Sequence, residues 1–289
     1  MSIELAVYGT TNTPNTLGLG VFDGVHLGHQ ALLNQCDALL TFNPHPVTII
    51  NPSITIERLT TIEEMTHYIK QLYVLTFNDS VANLSAKEFL DTIILEKIKP
   101  RNIVIGYDYH FGKNKEGTPE LFKSWCDEHD IGITIVTPVK NNEAIIKSQA
   151  IRQQLKNTQA SQALDNLGHS YLMIGTVIHG DNRGKTLGYP TANLVFDQEK
   201  LIPHHGVYKG KLKFKTQEYK AMIYIGNRPT FNTNTSTVEA FLLDFEGNLY
   251  NQKVHLYLEK FLRDEQKFNN HEALISQINN DINHAFNTP

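Results

Sequence analysis

The stretch GLGVFDGVHLGHQALL, residues 18–33, decides how the first half of the chain folds. An apolar strand runs into Asp23 and Gly24, which make a turn, and the apolar spacing from Leu27 to Leu33 then predicts a helix. His26 and His29 fall at i and i+3 on its first turn, where they share a face beside backbone N–H groups that have no intrahelical partner. The positive end of the helix dipole adds to that field, so the pair suits a nucleotide phosphate and the charge that develops on it during transfer. Gly28 between them lets a phosphate come close to the backbone. In the rival reading, one imidazole merely caps the helix and the other faces solvent. Metal ligation is a weaker rival, since two histidines need a further ligand and no HExxH or cysteine partner lies nearby. The Walker pattern GxxxxGK[ST] is absent.

Outward from this stretch, residues 16 to about 156 alternate short β-branched runs with helical patterns. TLGLGVF precedes HQALLNQ, LYVLTF precedes SAKEFLDTIILEKI, NIVIGYD precedes PELFKSWCDEH, and GITIVTPV precedes SQAIRQQLKN. Strands separated by helices predict βαβ units and a parallel sheet, which binds ligands at the carboxyl ends of its strands. After residue 170 the helices vanish from between the strands, and LMIGTVIHG, GVYKGKLKFK, YKAMIYIGN, STVEAFLLDF and KVHLYLEKFL follow one another, closed by a helical pattern from His271 to Phe286. That grammar predicts an antiparallel sheet or small barrel with a helix packed on it. The expected division is a first domain over 1–157, a bridging helix within 158–170 ending near Gly168, and a second domain over 171–289.

Bulk properties narrow the partners. The 289 residues carry a formal net charge of −4 from 26 basic and 30 acidic residues, interspersed, with no basic run that would suit nucleic acid or an anionic membrane. No apolar stretch approaches the roughly 18 residues needed to span a bilayer, and MSIELAVYG lacks the character of a signal peptide, so the expected compartment is the cytoplasm. Cys36 and Cys126 belong to no CxxC or zinc spacing and read as buried thiols.

The second half holds its own chemistry in GTVIHGDNRGKTLGYPTANL, residues 175–194. A loop punctuated by Gly180, Gly184 and Gly188 can wrap phosphates with backbone N–H groups, although such turns also join ordinary strands. If ANL continues as a strand, Thr191 and Asn193 project from one face and offer a hydroxyl and an amide oxygen, hard ligands suited to Mg²⁺ held between protein and nucleotide phosphates. Glu239 sits on the apolar side of STVEAFLLDF with Phe241 and Leu243, a costly place for a carboxylate unless it is paired or used. Beside a phosphate loop it is a candidate general base; otherwise it is a rim residue.

FDGVHLGH, TFNPHP at 41–46, GYDYHFG at 106–112 and SQAIR at 148–152 resemble the adenylyltransferase half of prokaryotic bifunctional riboflavin kinase/FAD synthetases, which are HxGH nucleotidyltransferases with a Rossmann-like α/β fold. The resemblance implies that His26 and His29 contact the ATP phosphates, with Asp23, Gly24 and Gly28 in the same phosphate-binding set and Ser148 and Arg152 holding phosphates from the opposite side. Arginine suits that role because its planar fork pairs with phosphate oxygens. Asn43, His45, Asp108 and Phe111 would line the nucleotide and flavin pocket. The second half resembles the riboflavin kinase domain, a six-stranded antiparallel barrel with a terminal helix, through the loop quoted above and through GVYKG, IGNRPTF, VEAFLLDF and LRDEQKF. There the resemblance implies that Thr191 and Asn193 bind Mg-ATP, Glu239 is the base on the ribityl 5′-hydroxyl, and Arg263 sits near the flavin.

The implied function is phosphorylation of riboflavin to FMN followed by adenylylation of FMN to FAD. Two features depart from the family pattern: KSQAIR stands at 147–152 where SSTxIR is usual, and only residues 30–40 separate His29 from Thr41, so the first crossover is expected to be cramped or rearranged. The alternative they motivate is a riboflavin kinase with a degenerate N-terminal domain. A non-catalytic flavin carrier is a third reading, but a carrier has no need of a carboxylate beside a Mg-binding strand. GLGVFDG is not GxGxxG, which weakens a dehydrogenase reading.

Overall fold

The computed structural model describes residues 3–180, 188–227 and 236–287. The chain divides into two compact units, Met1–Ser148 and Gln149–Pro289.

In the first unit, six strands form one sheet: β1 (Leu5–Gly9), β2 (Thr16–Leu19), β3 (Ala38–Asn43), β4 (Gln71–Thr76), β5 (Asn102–Gly106) and β6 (Gly132–Val136), in the order β1-β4-β3-β2-β5-β6. Strands β2 to β6 run parallel, as the alternation with helices predicts. Strand β1 pairs antiparallel on β4 at one edge. Its residues are largely exposed, which is why LAVYG carries no alternation by which to read it. Alternate strand residues feed two separate cores. Leu17, Leu40, Leu75 and Ile103 pack with Phe89, Ile94 and Trp125 on one face, and Leu39, Leu72 and Val104 pack with Leu32 and Met65 on the other. A sheet buried on both faces needs runs of consecutive apolar residues, and LLTF and LYVL supply them.

The cramped crossover expected between His29 and Thr41 is not found. Strand β3 begins at Ala38, three residues before Thr41, and the helix α1 (Leu27–Leu33) needs only seven residues. Strands β2 and β3 then pair in regular parallel register, Leu17 with Ala38 and Leu19 with Leu40. Asp37 stabilises the return, its carboxylate accepting from the backbone N–H groups of Asn15 and Thr16 at 3.0 and 2.9 Å. A small hairpin, β7 (Lys140–Asn141) and β8 (Ala144–Ile145), precedes the end of this unit.

The helix Ser148–Lys156 starts on the last residue of the first unit and runs into the second, where Ala160–Leu167 follows, ended by Gly168 at φ 70°. Six antiparallel strands follow: β9 (Tyr171–Ile178), β10 (Thr191–Phe196), β11 (Gly206–Phe214), β12 (Gln217–Asn227), β13 (Ser236–Leu242) and β14 (Lys253–Arg263). They close into a barrel in the cyclic order β10-β13-β12-β11-β14-β9. Val238, Ala240 and Leu242 of β13 are buried, while Glu239 and Phe241 between them are half-buried on the opposite face. The terminal helix His271–Phe286 covers that second face, its Ile282, Ala285 and Phe286 packing with Val207, Met222 and Phe241. Asn270 caps the helix, accepting from Ala273 N at 2.8 Å.

One ion pair fixes the helix to the barrel. The Arg263 guanidinium at the end of β14 donates from Nε and Nη2 to the Asp281 carboxylate at 3.0 and 2.8 Å, and Gln277 donates to the same carboxylate at 2.8 Å. Both ends are largely shielded, so removing one leaves an uncompensated charge. Asp281→Ala is expected to destabilise the second unit by about 3 kcal/mol, seen as a lowered thermal unfolding midpoint.

Candidate functional sites

A cleft of about 980 Å³ opens in the first unit. Gly20 after β2, Phe42 on β3, and Gly106 and Val136 at the ends of β5 and β6 line it, so it lies at the carboxyl ends of the strands. From β2 the chain winds one way to β3 and later the other way to β5; this reversal is where an open parallel sheet leaves a crevice.

His26 and His29 both face this cleft. His26 is the residue that caps α1, its Nδ1 accepting from His29 N at 3.3 Å, and the two rings stack with centroids 3.7 Å apart. Capping and pocket lining thus fall to the same side chain. Gly28 sits tight against that stack, since a Cβ there would lie 3.1 Å from the His26 ring and the ring would have to shift by a few tenths of an ångström. His29 Nδ1 is shut off from solvent and has no hydrogen-bond partner among the described residues. Burial, and then the neighbouring His26, hold the His29 imidazole well below the ordinary histidine range. It is therefore neutral at pH 7 and meets an anion as a dipolar N–H donor.

The turn that delivers His26 is strained. Phe22 and Val25 take φ of 53° and 43°, left-handed values that a β-branched residue rarely adopts, with Gly24 at 93° between. Val25 N closes the turn on Phe22 O at 3.1 Å. Buried Asp23 braces it from beneath, its Oδ1 accepting from Thr60 N at 3.0 Å and its carbonyl from Ser148 Oγ at 2.7 Å. Asp23 and Gly24 shape the turn and are not in the cleft wall, whereas Gly28 and Ser148 are in it. Arg152 belongs to the second unit, one turn along the helix Ser148–Lys156.

Asp108 and Phe111 line the cleft. Phe111 is part of an aromatic wall, 5.6 Å from Phe89 and 5.1 Å from Phe122 between ring centroids. Asn43 and His45 are not in the wall, although Phe42 and Pro46 beside them are. Asn43 Oδ1 accepts from buried Arg58 at 3.0 Å, and His45 Nδ1 caps the short helix Pro46–Ile50 through Val47 N at 3.3 Å. Sequence reasoning missed Phe42 and Tyr109 of the wall because aromatic residues on strands and turns read as ordinary core.

On the barrel, Thr191, Asn193 and Glu239 converge on one face. Asn193 stands directly opposite Glu239 across the β10–β13 pair, and Thr191 Oγ1 donates to Glu239 Oε2 at 2.9 Å. Asn193 is buried, and its amide lies against the backbone of Gly180, where any Cβ would collide with it. Gly188 takes φ +85°, open to left-handed geometry that glycine tolerates; Gly184 lies outside the described residues. Arg263 is committed to Asp281 and lies 5.9 Å from the Phe268 ring. The trio offers hydroxyl, amide and carboxylate oxygens, the donor chemistry of a hard divalent cation. Among the described residues no three His, Cys, Asp or Glu side chains gather as a metal cage, so such a cation would need phosphate and water to complete its shell.

Two outcomes follow for the cleft. Gly28→Ala, by pushing the His26 ring off its stack, is expected to lower turnover at the cleft by about tenfold while leaving barrel chemistry unchanged, as read by assaying each site on one preparation. Above its ordinary value of 6.5, His29 is neutral folded or unfolded and contributes nothing pH-dependent; below 6.5 the unfolded chain takes up a proton that the folded site refuses. The unfolding midpoint is thus expected to fall from pH 7 to pH 5, and to fall less steeply in His29→Asn.

Similarity to known proteins covers both units. The FAD synthetase family matches residues 9–150 and the riboflavin kinase family residues 167–288. The bifunctional riboflavin kinase/FMN adenylyltransferase of Listeria monocytogenes is 34% identical over 288 residues, 94% of this chain and 91% of that protein. The protein of that description from Bacillus subtilis is 34% identical over 292 residues, covering 94% and 91%, and the one from Escherichia coli K12 is 31% identical over 300, covering 97% and 96%. A solved chain described as a macrolide-efflux protein, from Streptococcus pneumoniae, superposes with a TM-score of 0.84 at 30% identity, over 97% of this chain and 96% of that one. Among the described residues here, no helix is long and apolar enough to cross a membrane. With both family matches in order along one chain and identity sustained over nearly its whole length, the protein belongs to the bifunctional riboflavin kinase/FMN adenylyltransferase family.

Proposed function

We propose that the barrel face carries the kinase step and the cleft the adenylyl transfer, with adenylyl transfer on residues 1–157 and the kinase on the barrel, 171–289. The enzyme converts riboflavin to FMN with ATP and then FMN to FAD with release of pyrophosphate. The observation that carries the kinase assignment is the convergence of Thr191, Asn193 and Glu239. Glu239 takes the proton of the ribityl 5′-hydroxyl as its oxygen bonds to the γ-phosphorus and the bond to ADP breaks. Thr191 orients the Glu239 carboxylate through their hydrogen bond, and Asn193, with the glycine loop, positions the nucleotide. A divalent cation, Mg²⁺ by the chemistry of the oxygen donors, would be held by Thr191 and Asn193 and would neutralise phosphate charge.

In the cleft, a phosphate oxygen of FMN attacks the α-phosphorus of ATP and pyrophosphate leaves. His26 and His29 donate hydrogen bonds to the phosphates, while Asp23 and Ser148 hold the strained turn that aims them. The flavin ring lies against the aromatic wall around Phe111, with Asp108 at its edge. Regular pairing of β2 with β3 removes the geometric ground for a degenerate cleft. A cytoplasmic location suits an enzyme that draws on ATP twice.

The test uses riboflavin, ATP and Mg²⁺ with separation of the flavins over time. The wild type is expected to form FMN and then FAD. Glu239→Gln should cut FMN formation by a factor on the order of 10³ while still converting added FMN to FAD. His26→Ala should show the reverse, accumulating FMN. Full kinase turnover in Glu239→Gln would remove that residue from the base role.

A further inference from the structure

Glu239 has a second cross-strand neighbour besides Asn193. Tyr224 on β12 stands opposite it, Val207 on β11 stands opposite Tyr224, and Arg263 on β14 stands opposite Val207. The row Asn193–Glu239–Tyr224–Val207–Arg263 therefore crosses the helix-covered face of the barrel in register. The Tyr224 side chain lies back along its own strand over Gly226, where any Cβ would collide with the phenol oxygen. From there the phenol donates to Oε1 of Glu265, on the exposed segment after β14. Burial first, then the Glu265 hydrogen bond and charge, then Glu239, push the Tyr224 pKa up, with Arg263 opposing. The phenol is thus a fixed donor at neutral pH, and it has one proton to give. It gives it to Glu265, whose other oxygen, Oε2, accepts no hydrogen bond among the described residues.

A carboxylate anchored through one oxygen and open at the other is an acceptor for neutral hydroxyl groups. The substrate bears several: riboflavin presents its terminal hydroxyl to Glu239, on the reading above, and three more lie along the ribityl chain. Adjacent strands are about 4.8 Å apart, so Tyr224 starts one strand from Glu239, and its phenol, bonded to Glu265, is within electrostatic reach of both carboxylates. We propose that Glu265, held by Tyr224, is a second carboxylate of the kinase site that accepts hydrogen bonds from the inner ribityl hydroxyls and so selects a polyhydroxylated flavin side chain. Tyr224 is a positioning residue: it touches Glu265, and Gly226 is the glycine that gives its phenol room. This rests on Glu239 as the base, and it adds a determinant of substrate choice that the base role does not require.

The experiment compares riboflavin with a flavin bearing a 5-hydroxypentyl chain at N10, which keeps the reacting hydroxyl and lacks the other three. Full-length wild type, Glu265→Ala and Tyr224→Phe are assayed with ATP and Mg²⁺. The wild type is expected to favour riboflavin in kcat/KM. In both variants the KM for riboflavin should rise about tenfold or more with kcat little changed, while the hydroxypentyl flavin is unaffected, so that the preference shrinks by that factor. FMN adenylylation by the same samples should not change. Glu265 is exposed, so its truncation leaves the fold intact and a loss of preference is not a loss of structure. A preference for riboflavin that survives in Glu265→Ala overturns the proposal. Glu239→Gln separates the two ideas: it should abolish turnover of both flavins alike, and if it does not, the base assignment fails while the preference remains measurable.

Discussion

The register between β10 and β13 is the constraint on which the kinase face depends. Side chains alternate across a strand, so Asn193 opposite Glu239 also sets Thr191 opposite Phe241 and turns all four to one side. A slip of one residue would bury the carboxylate in the barrel interior among Val238 and Ala240 and expose those instead. The cost of placing a charge in that interior is what pins the pairing. Barrel closure reinforces it, because β10 is bonded on its other side to β9, with Asn193 opposite Ile178. The half-buried Glu239 is thus both the product of the register and, through its hydrogen bond from Thr191, a brace for it.

The two units solve one problem differently. Each must hold polyphosphate without a large cationic patch, and the net charge of −4 leaves little to spare. The α/β unit uses the crevice where strand order reverses, and lines it with a strained turn whose left-handed Phe22 and Val25 are held because Thr60 and Ser148 tie Asp23, through its carboxylate and its carbonyl, from two sides. Among the described residues the barrel, closed and wholly antiparallel, offers no such reversal of strand order. Its polar trio lies on the face that the terminal helix partly covers, and the helix is locked by Arg263 and Asp281. That ion pair fixes the Arg263 guanidinium, with Nε and Nη2 on Asp281 and Nη1 on the Asp264 carbonyl, so three of its five N–H donors are spent on holding the helix.

Most of this was legible because the two halves obey different periodicities. Apolar runs such as LLTF and LYVL announce a sheet buried on both faces, and alternation in STVEAFL announces one that is not. His26 and His29 stood out as a pair at i and i+3 on a helix's first turn, Thr191 and Asn193 as oxygen donors two apart after a glycine-punctuated loop, and Glu239 as a carboxylate on an apolar face. What stayed hidden had no local signature. Strand β1 is an exposed edge, so nothing in LAVYG alternates. Strand β3 begins in ALL, which continues the apolar spacing of the preceding helix, and the boundary slid to Thr41. Asn43 and His45 look like ligands in TFNPHP, yet one answers the buried Arg58 and the other a helix end, partners set by tertiary contact. Tyr224 and Gly226 make sense only once Glu265, far along the chain, is brought beside them.

The altered segment KSQAIR looks damaging if its hydroxyls are counted as phosphate donors, but the geometry gives them another part. Ser148 spends its O–H on the Asp23 carbonyl, so the hydroxyl that this chain retains is the one that fixes the turn carrying His26. Losing a neighbouring hydroxyl removes a possible ligand contact, whereas losing Ser148 would release strain stored at Phe22 and Val25 and let the imidazole drift. The histidines place a matching demand on the site. Since His29 is neutral, it cannot compensate phosphate by charge, and its value lies in being already packed into the cleft wall and already aimed. A preorganised neutral donor of that kind tolerates a sparse phosphate loop but not a loose turn, which is why the residues beneath the turn matter more here than the number of hydroxyls around it.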